Sequence, residues 1–175
     1  IVVDPTMLIP SKQWRNEEKK KKGIPDQYIA CFIFNQRDYI TEYAKNLSRE
    51  KHCPLLLVGG NEFTKLKRKN YSGSLGPREW LYVIDHADAV ITDSFHGAVF
   101  SLIFGKELHA SMESPTKSRL ETLLRTFDAE CCIIPSGVTD SRQYQHVDQR
   151  STYQILREKR NESIDYLRTA LHVAK

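Results

Sequence analysis

Asp93, Ser94 and His96 put a carboxylate, a hydroxyl and an imidazole within four residues, between two apolar stretches. Together such groups can hold an anion and move a proton. The elements that must position them are legible on either side. Ala89 to Ile91 read as a short buried strand. Ser94 is a good helix N-cap, and Phe95, Val99, Leu102 and Ile103 follow at helical spacing. In open α/β sheets ligands bind outside the carboxyl ends of the strands, where the next helix offers unpaired N–H groups to an anion. A lone histidine more often bonds a neighbouring turn, but its place directly after a strand points to function. Asp93 either orients His96, takes a hydroxyl proton or stabilises the helix end, and the sequence leaves these open. Ser94 is expected to be both cap and phosphate contact. Gly97 is expected to allow close approach of helix to sheet or of ligand.

The same words resemble a known family. Thr92-Asp93-Ser94-Phe95-His96-Gly97, followed by Val99-Phe100-Ser101-Leu102-Ile103-Phe104-Gly105-Lys106, resembles the signature of the polysaccharide pyruvyl transferases, with Ala98 where that motif usually has Thr. Val3-Asp4-Pro5-Thr6-Met7-Leu8 with Trp14 resembles the opening of the C-terminal half of those proteins. Gly76-Pro77-Arg78-Glu79-Trp80-Leu81 resembles a helix start, and Ser118-Arg119-Leu120-Glu121-Thr122-Leu123-Leu124 a later helix. The resemblance runs from Val2 to Ile134, departs at Phe127-Asp128-Ala129-Glu130-Cys131-Cys132, and does not extend further. It implies a Rossmann-like C-terminal, donor-binding domain over residues 1–175, like that of a GT-B-type glycosyltransferase, with the N-terminal acceptor half absent. A start without Met fits that expectation. It further implies transfer of pyruvate from phosphoenolpyruvate to a sugar or polysaccharide precursor, forming a ketal for a cell-surface glycan. A helix N-terminus lowers the proton affinity of His96 in an empty site, and a bound phosphate raises it, so donor binding itself would load the proton.

Composition sets the class. A chain of 175 residues that is 40% hydrophobic can bury one substantial core. The net charge of +4 is matched by the single run Lys19-Lys20-Lys21-Lys22, which reads as a solvated loop. No aromatic-interleaved basic stripe accompanies it, so no nucleic-acid partner is expected. No apolar stretch is long enough for a membrane span. Cys31, Cys53, Cys131 and Cys132 lack C-x-x-C spacing and read as buried thiols of a reducing compartment, hence a cytoplasmic protein, at most peripheral to a membrane.

Along the chain, a linker follows an opening strand. Tyr28 to Phe34 is a strand, Asp38 to Lys51 a helix and Pro54 to Val58 a second strand, ended by Gly59-Gly60-Asn61. Residues Lys65 to Ser74 are polar. A helix from Pro77 to about His86 leads to the strand before Asp93. Glu107 to Ala110, Thr116 to Phe127 and Cys131 to Ile134 read as strand, helix and strand. Ser136 to Arg150 is turn-like, and Ser151 to His172 a closing helix with Ile164, Leu167 and Leu171 inward, able to pack across to the absent half. Two buried strands joined by one helix imply a right-handed parallel crossover, so the fold is α/β with a doubly wound, mostly parallel sheet.

Further candidates lie at neighbouring loops. The Arg119 guanidinium matches phosphate or carboxylate, with Lys117 beside it, and Arg37 and Asn35 stand just past the first strand. Gly59-Gly60 is a plain turn, and His52, His86 and His109 are ordinary helix-end or strand residues. No metal-ligand spacing appears, so no metal or cofactor is expected beyond the donor substrate. Two rivals remain. A glycosyltransferase using a nucleotide sugar would add a base-stacking aromatic and a ribose-binding acid, a reading that Glu79 and the Gly76-Pro77 turn leave open; a non-catalytic anion-binding domain would need neither.

Overall fold

A computed structural model describes residues 2–35, 37–58, 75–113, 117–145 and 147–171. Its centre is a five-stranded, all-parallel sheet of order β2-β1-β3-β4-β5. The strands are β1 (Ile29–Phe32), β2 (Leu55–Leu57), β3 (Ala89–Thr92), β4 (Glu107–Ser111) and β5 (Ile133–Ile134). The sequence is apolar without alternation in β1 to β3 because both faces are covered, as a parallel sheet requires. One core packs α2 (Asp38–Glu50) against one face. The other core gathers α3 (Pro77–Asp85), α4 (Phe95–Phe104) and α5 (Lys117–Thr126) on the opposite face. The expected doubly wound α/β fold is therefore present.

This order fixes where a ligand can go. The chain leaves β1 toward α2 on one face and leaves β3 toward α4 on the other, so the two loops diverge between neighbouring strands. A sheet of this order opens its crevice there, at the β1/β3 switch point. Every residue of α4 from Gly97 to Phe104 is buried, the expected fate of a helix apolar all round. Gly105, at φ 66° and ψ 39°, ends it in the left-handed conformation, with the Lys106 N–H donating back to the Ser101 carbonyl at 2.8 Å.

Three segments differ from expectation. The opening is no strand among the described residues: the Asp4 carboxylate caps a 3-10 turn over Pro5–Leu8, and a short helix α1 (Ser11–Asn16) follows. Proline suits a first turn, where its missing N–H costs nothing. Cys131 and Cys132 belong to a 3-10 turn, which leaves only two residues for β5. The closing helix α6 (Gln149–Ala170) buries Thr152, Leu156 and Ser163, while Leu171 is 69% exposed. It packs on the chain's own beginning: the Val3 N–H donates to Ser163 Oγ at 3.0 Å, and Arg160 Nε donates to the Met7 carbonyl at 2.7 Å. The turn at Gly59-Gly60-Asn61, the polar stretch Lys65 to Ser74, Thr116 and His172 lie outside the described residues. No helix among the described residues is long and apolar enough to cross a membrane. Cys31, Cys53 and Cys132 are buried free thiols, and Cys131 is partly buried.

Two ionic clusters brace the sheet. Fully buried His109 bonds Tyr43 Oη through Nδ1 at 2.8 Å and Glu107 through Nε2 at 3.0 Å, tying α2 to β4. Burial raises the Glu107 carboxyl, but the bonds from His109 and Lys51 outweigh it and hold it down at about 2. The second cluster pins the loop after α1 to the end of α3. Arg15 grips Asp85 at 2.7 and 2.9 Å, and Glu18 Oε2 lies 3.1 Å from His86 Nε2. Glu18 Oε1 is buried without a hydrogen-bond donor, and burial, followed by the neighbouring Asp85, pushes this carboxyl up to about 7.

A raised folded-state value means that docking of Glu18 is unpenalised below the ordinary carboxyl range and loses stability as pH climbs through about 7. Glu18→Gln is therefore expected to raise Tm over the unsubstituted chain by a few degrees at pH 8, with the gap closing by pH 5. Thermal unfolding at pH 5, 6.5 and 8 measures this, and parallel curves would refute it.

Candidate active site at the β1/β3 switch point

The switch point is closed by a buried carboxylate. Asp93, 1% exposed, accepts from the N–H of Phe34, the N–H of Asn35 and Asn35 Nδ2, each at 2.8 Å. It thereby ties the β1–α2 loop to the β3–α4 loop. A carboxylate away from water is tolerable only when hydrogen-bonded, and these three donors serve both of its oxygens. Asp93 and Asn35 thus come together as expected of cleft residues, and their contact is with each other.

Thr92 and Gly97 seat the next helix. Thr92 Oγ1 donates to the Phe32 carbonyl at 2.7 Å and accepts from the Ser94 N–H at 3.0 Å. A Cβ on Gly97 would run into Thr92 Oγ1 and come within 3.2 Å of the Phe32 ring. Glycine here lets the first turn of α4 lie flush against the sheet. Ser94 caps α4 by accepting from the Gly97 N–H at 3.4 Å. The Phe95 and His96 N–H groups have no hydrogen-bond partner among the described residues, so the positive end of a buried helix faces outward.

His96 stands at that end with its side chain 54% exposed and Nε2 3.8 Å from Asp4 Oδ2. The carboxylate facing the ring is therefore Asp4, which sequence reasoning does not place in the site. Asp4 Oδ1 is held by the N–H and hydroxyl of Thr6 at 3.0 and 2.6 Å, which leaves Oδ2 toward His96. The bonds from α6 to Val3 and Met7 fix this segment. Asp4 belongs to the opening family landmark, yet nothing in the residues between says that it meets His96.

Two hollows lie beside the Phe95-His96 pair, one lined by Phe95 and the other by His96. A hollow of about 580 Å³ is lined by Asp4, Phe95, Ser118, Arg119 and Lys159 among others. Arg119 lies over the Phe95 ring, Cζ 4.2 Å from its centre, and no carboxylate pairs with it among the described residues. The other hollow, about 690 Å³, is lined by Phe34, Trp80, Ser94 and His96 over Phe32 and Trp14. The Phe95 and His96 rings meet edge to face, centroids 5.4 Å apart, so one dipeptide serves both spaces. Arg37 bonds Glu113 at 3.2 Å, which already neutralises its charge, and Lys117 is exposed at the start of α5.

Asp93→Asn would turn an amide N–H₂ toward N–H donors and is expected to cost about 2–3 kcal/mol. Gly97→Ala must shift Thr92 or the helix start, at about 1–3 kcal/mol. Denaturant midpoints measure both, and a variant as stable as the parent chain would contradict the packing described.

The family model for polysaccharide pyruvyl transferase matches residues 1–110, well over half of the 175. The matched part spans Asp4, the Asp93 clamp and the whole of α4; Arg119 and Lys117 lie beyond it. No curated protein and no solved structure matches the chain. The strand-to-helix turn that carries His96 and the opening segment that faces it both lie within the matched part, and the chain belongs to the polysaccharide pyruvyl transferase family.

Proposed function

We propose that this chain binds phosphoenolpyruvate on the Arg119 side of His96 and takes part in transferring its pyruvyl group to a sugar, forming a ketal. The observation that carries the reading is the half-exposed His96 ring at the free N-terminus of α4, with Asp4 at 3.8 Å. The donor is strongly anionic, and the unpaired N–H groups of Phe95 and His96, with the Arg119 fork, match its phosphate and carboxylate.

In the addition step, protonated His96 gives its proton to the methylene carbon while a sugar hydroxyl oxygen bonds to the enol carbon. The proton of that hydroxyl passes to a donor phosphate oxygen. A second hydroxyl then bonds to the same carbon as the C–O bond to phosphate breaks, and the neutral ring takes its proton. Phosphate leaves as hydrogen phosphate, and His96 is again protonated. Asp4 holds the charged ring in place by an ion pair. We place the reaction in the cytoplasm, where buried free thiols persist.

The nucleotide-sugar reading loses its acid. Glu79 lies back against Gly76 at the start of its own helix and pairs with Lys19 at 3.4 Å, and no acidic residue among the described ones lines the aromatic hollow. A ribose would find no carboxylate there among the described residues.

Calorimetry should show phosphoenolpyruvate binding, weakened at least tenfold in Arg119→Ala, with no binding of nucleoside diphosphate sugars. His96→Gln should retain the donor but lose at least 100-fold in phosphate release with an acceptor glycan present. Full turnover by the folded His96 variant, or preference for nucleotides, would overturn the reading.

A further inference from the structure

We propose that the aromatic hollow is the acceptor subsite, and that the Phe34 ring is the platform on which the acceptor sugar stacks. The proposal rests on the pyruvyl-transfer reading for the class of acceptor, and on three independent observations for the place. Phe34 is 50% exposed, although its neighbours Phe32 and Ile33 are largely or wholly covered. Its loop is held, the N–H groups of Phe34 and Asn35 both donating to buried Asp93, and its ring packs edge to face on Phe32, centroids 4.8 Å apart. The exposed ring thus sits on a loop anchored by a buried carboxylate, beside an aromatic-lined hollow.

The lining decides the chemistry of the occupant. Among the described residues lining this space His96 is the one titratable group, whereas Arg119, Lys159 and Asp4 line the other. A neutral ring therefore belongs here and the anion there. A pyranose carries C–H groups on a face and hydroxyls around its rim, so the face suits Phe34 and Trp80 while the rim meets Ser94 and His96. Phe34 thereby acts on acceptor binding and leaves donor binding alone.

Saturation-transfer NMR with methyl β-galactopyranoside and methyl β-glucopyranoside tests this on the full chain. We expect transfer to C–H protons of one ring face. It should fall at least fivefold in Phe34→Ala and persist in Phe34→Trp, with calorimetric affinity for phosphoenolpyruvate unchanged within twofold in both. Equal sugar signals in Phe34→Ala, or no sugar signal in the parent chain, would overturn the proposal. Pyruvyl transfer itself is judged separately, by whether the parent chain binds the donor. Loss of donor affinity in a folded Phe34→Ala would show that the two hollows are not divided as described, and would overturn the proposal as well.

Discussion

Everything at the carboxyl end of the sheet depends on one buried carboxylate. Where β1 and β3 part company, their loops leave toward opposite faces, and nothing in the strand ladder keeps those loops together. Asp93 does so with three charge-assisted hydrogen bonds. Its charge serves to fix the distance between the Phe34 loop and the first turn of α4. The crevice that a sheet of this order offers to ligands is thus given a firm floor, and the side chains around it are presented from rigid elements.

Around that floor, polarity is divided. Arg119 stacks on Phe95 without a carboxylate to neutralise it among the described residues, and the free N–H groups of α4 add to the same positive field. On the other side the walls are mostly aromatic and apolar, with His96 the one titratable group among the described residues lining that space. The His96 imidazole lines the aromatic side, and the Phe95 ring it packs against lines the other. Asp4 joins this arrangement because α6 folds back over the chain's beginning. The long closing helix thereby supports the site from behind, through the segment that carries Asp4.

Much of this was legible in the sequence, and the reason is local. The run from Ala89 to Gly105 carries strand, cap, helix and left-handed stop in consecutive residues, so short-range chemistry specifies it. The crossover from β1 through α2 to β2 was legible on the same grounds, from apolar runs without alternation. What escaped was set by distant contacts. Asp93 could be located but not its partners, since the N–H groups it binds lie 58 and 59 positions away. Asp4 was visible as a landmark and invisible as the partner of His96. Phe34 read as the end of a strand because a buried and an exposed phenylalanine look alike in an apolar run. On α6, apolar spacing picked out Leu171, yet the face that packs is lined by Thr152 and Ser163, whose hydroxyls bond the Phe127 carbonyl and the Val3 N–H.

An anion docked on the free end of α4, between His96 and Arg119, must perturb the groups that hold it. A titration of the ¹⁵N-labelled chain with phosphoenolpyruvate, read at assigned backbone amides and arginine Nε–H groups, observes those groups one by one. The largest saturable shifts should fall on the Phe95 and His96 amides and on Arg119 Nε–H, with the Phe34 and Asn35 amides, already bonded to Asp93, moving little. Saturable shifts centred elsewhere, or no shift at Phe95 and His96 when the ligand is bound, would contradict docking at this helix end.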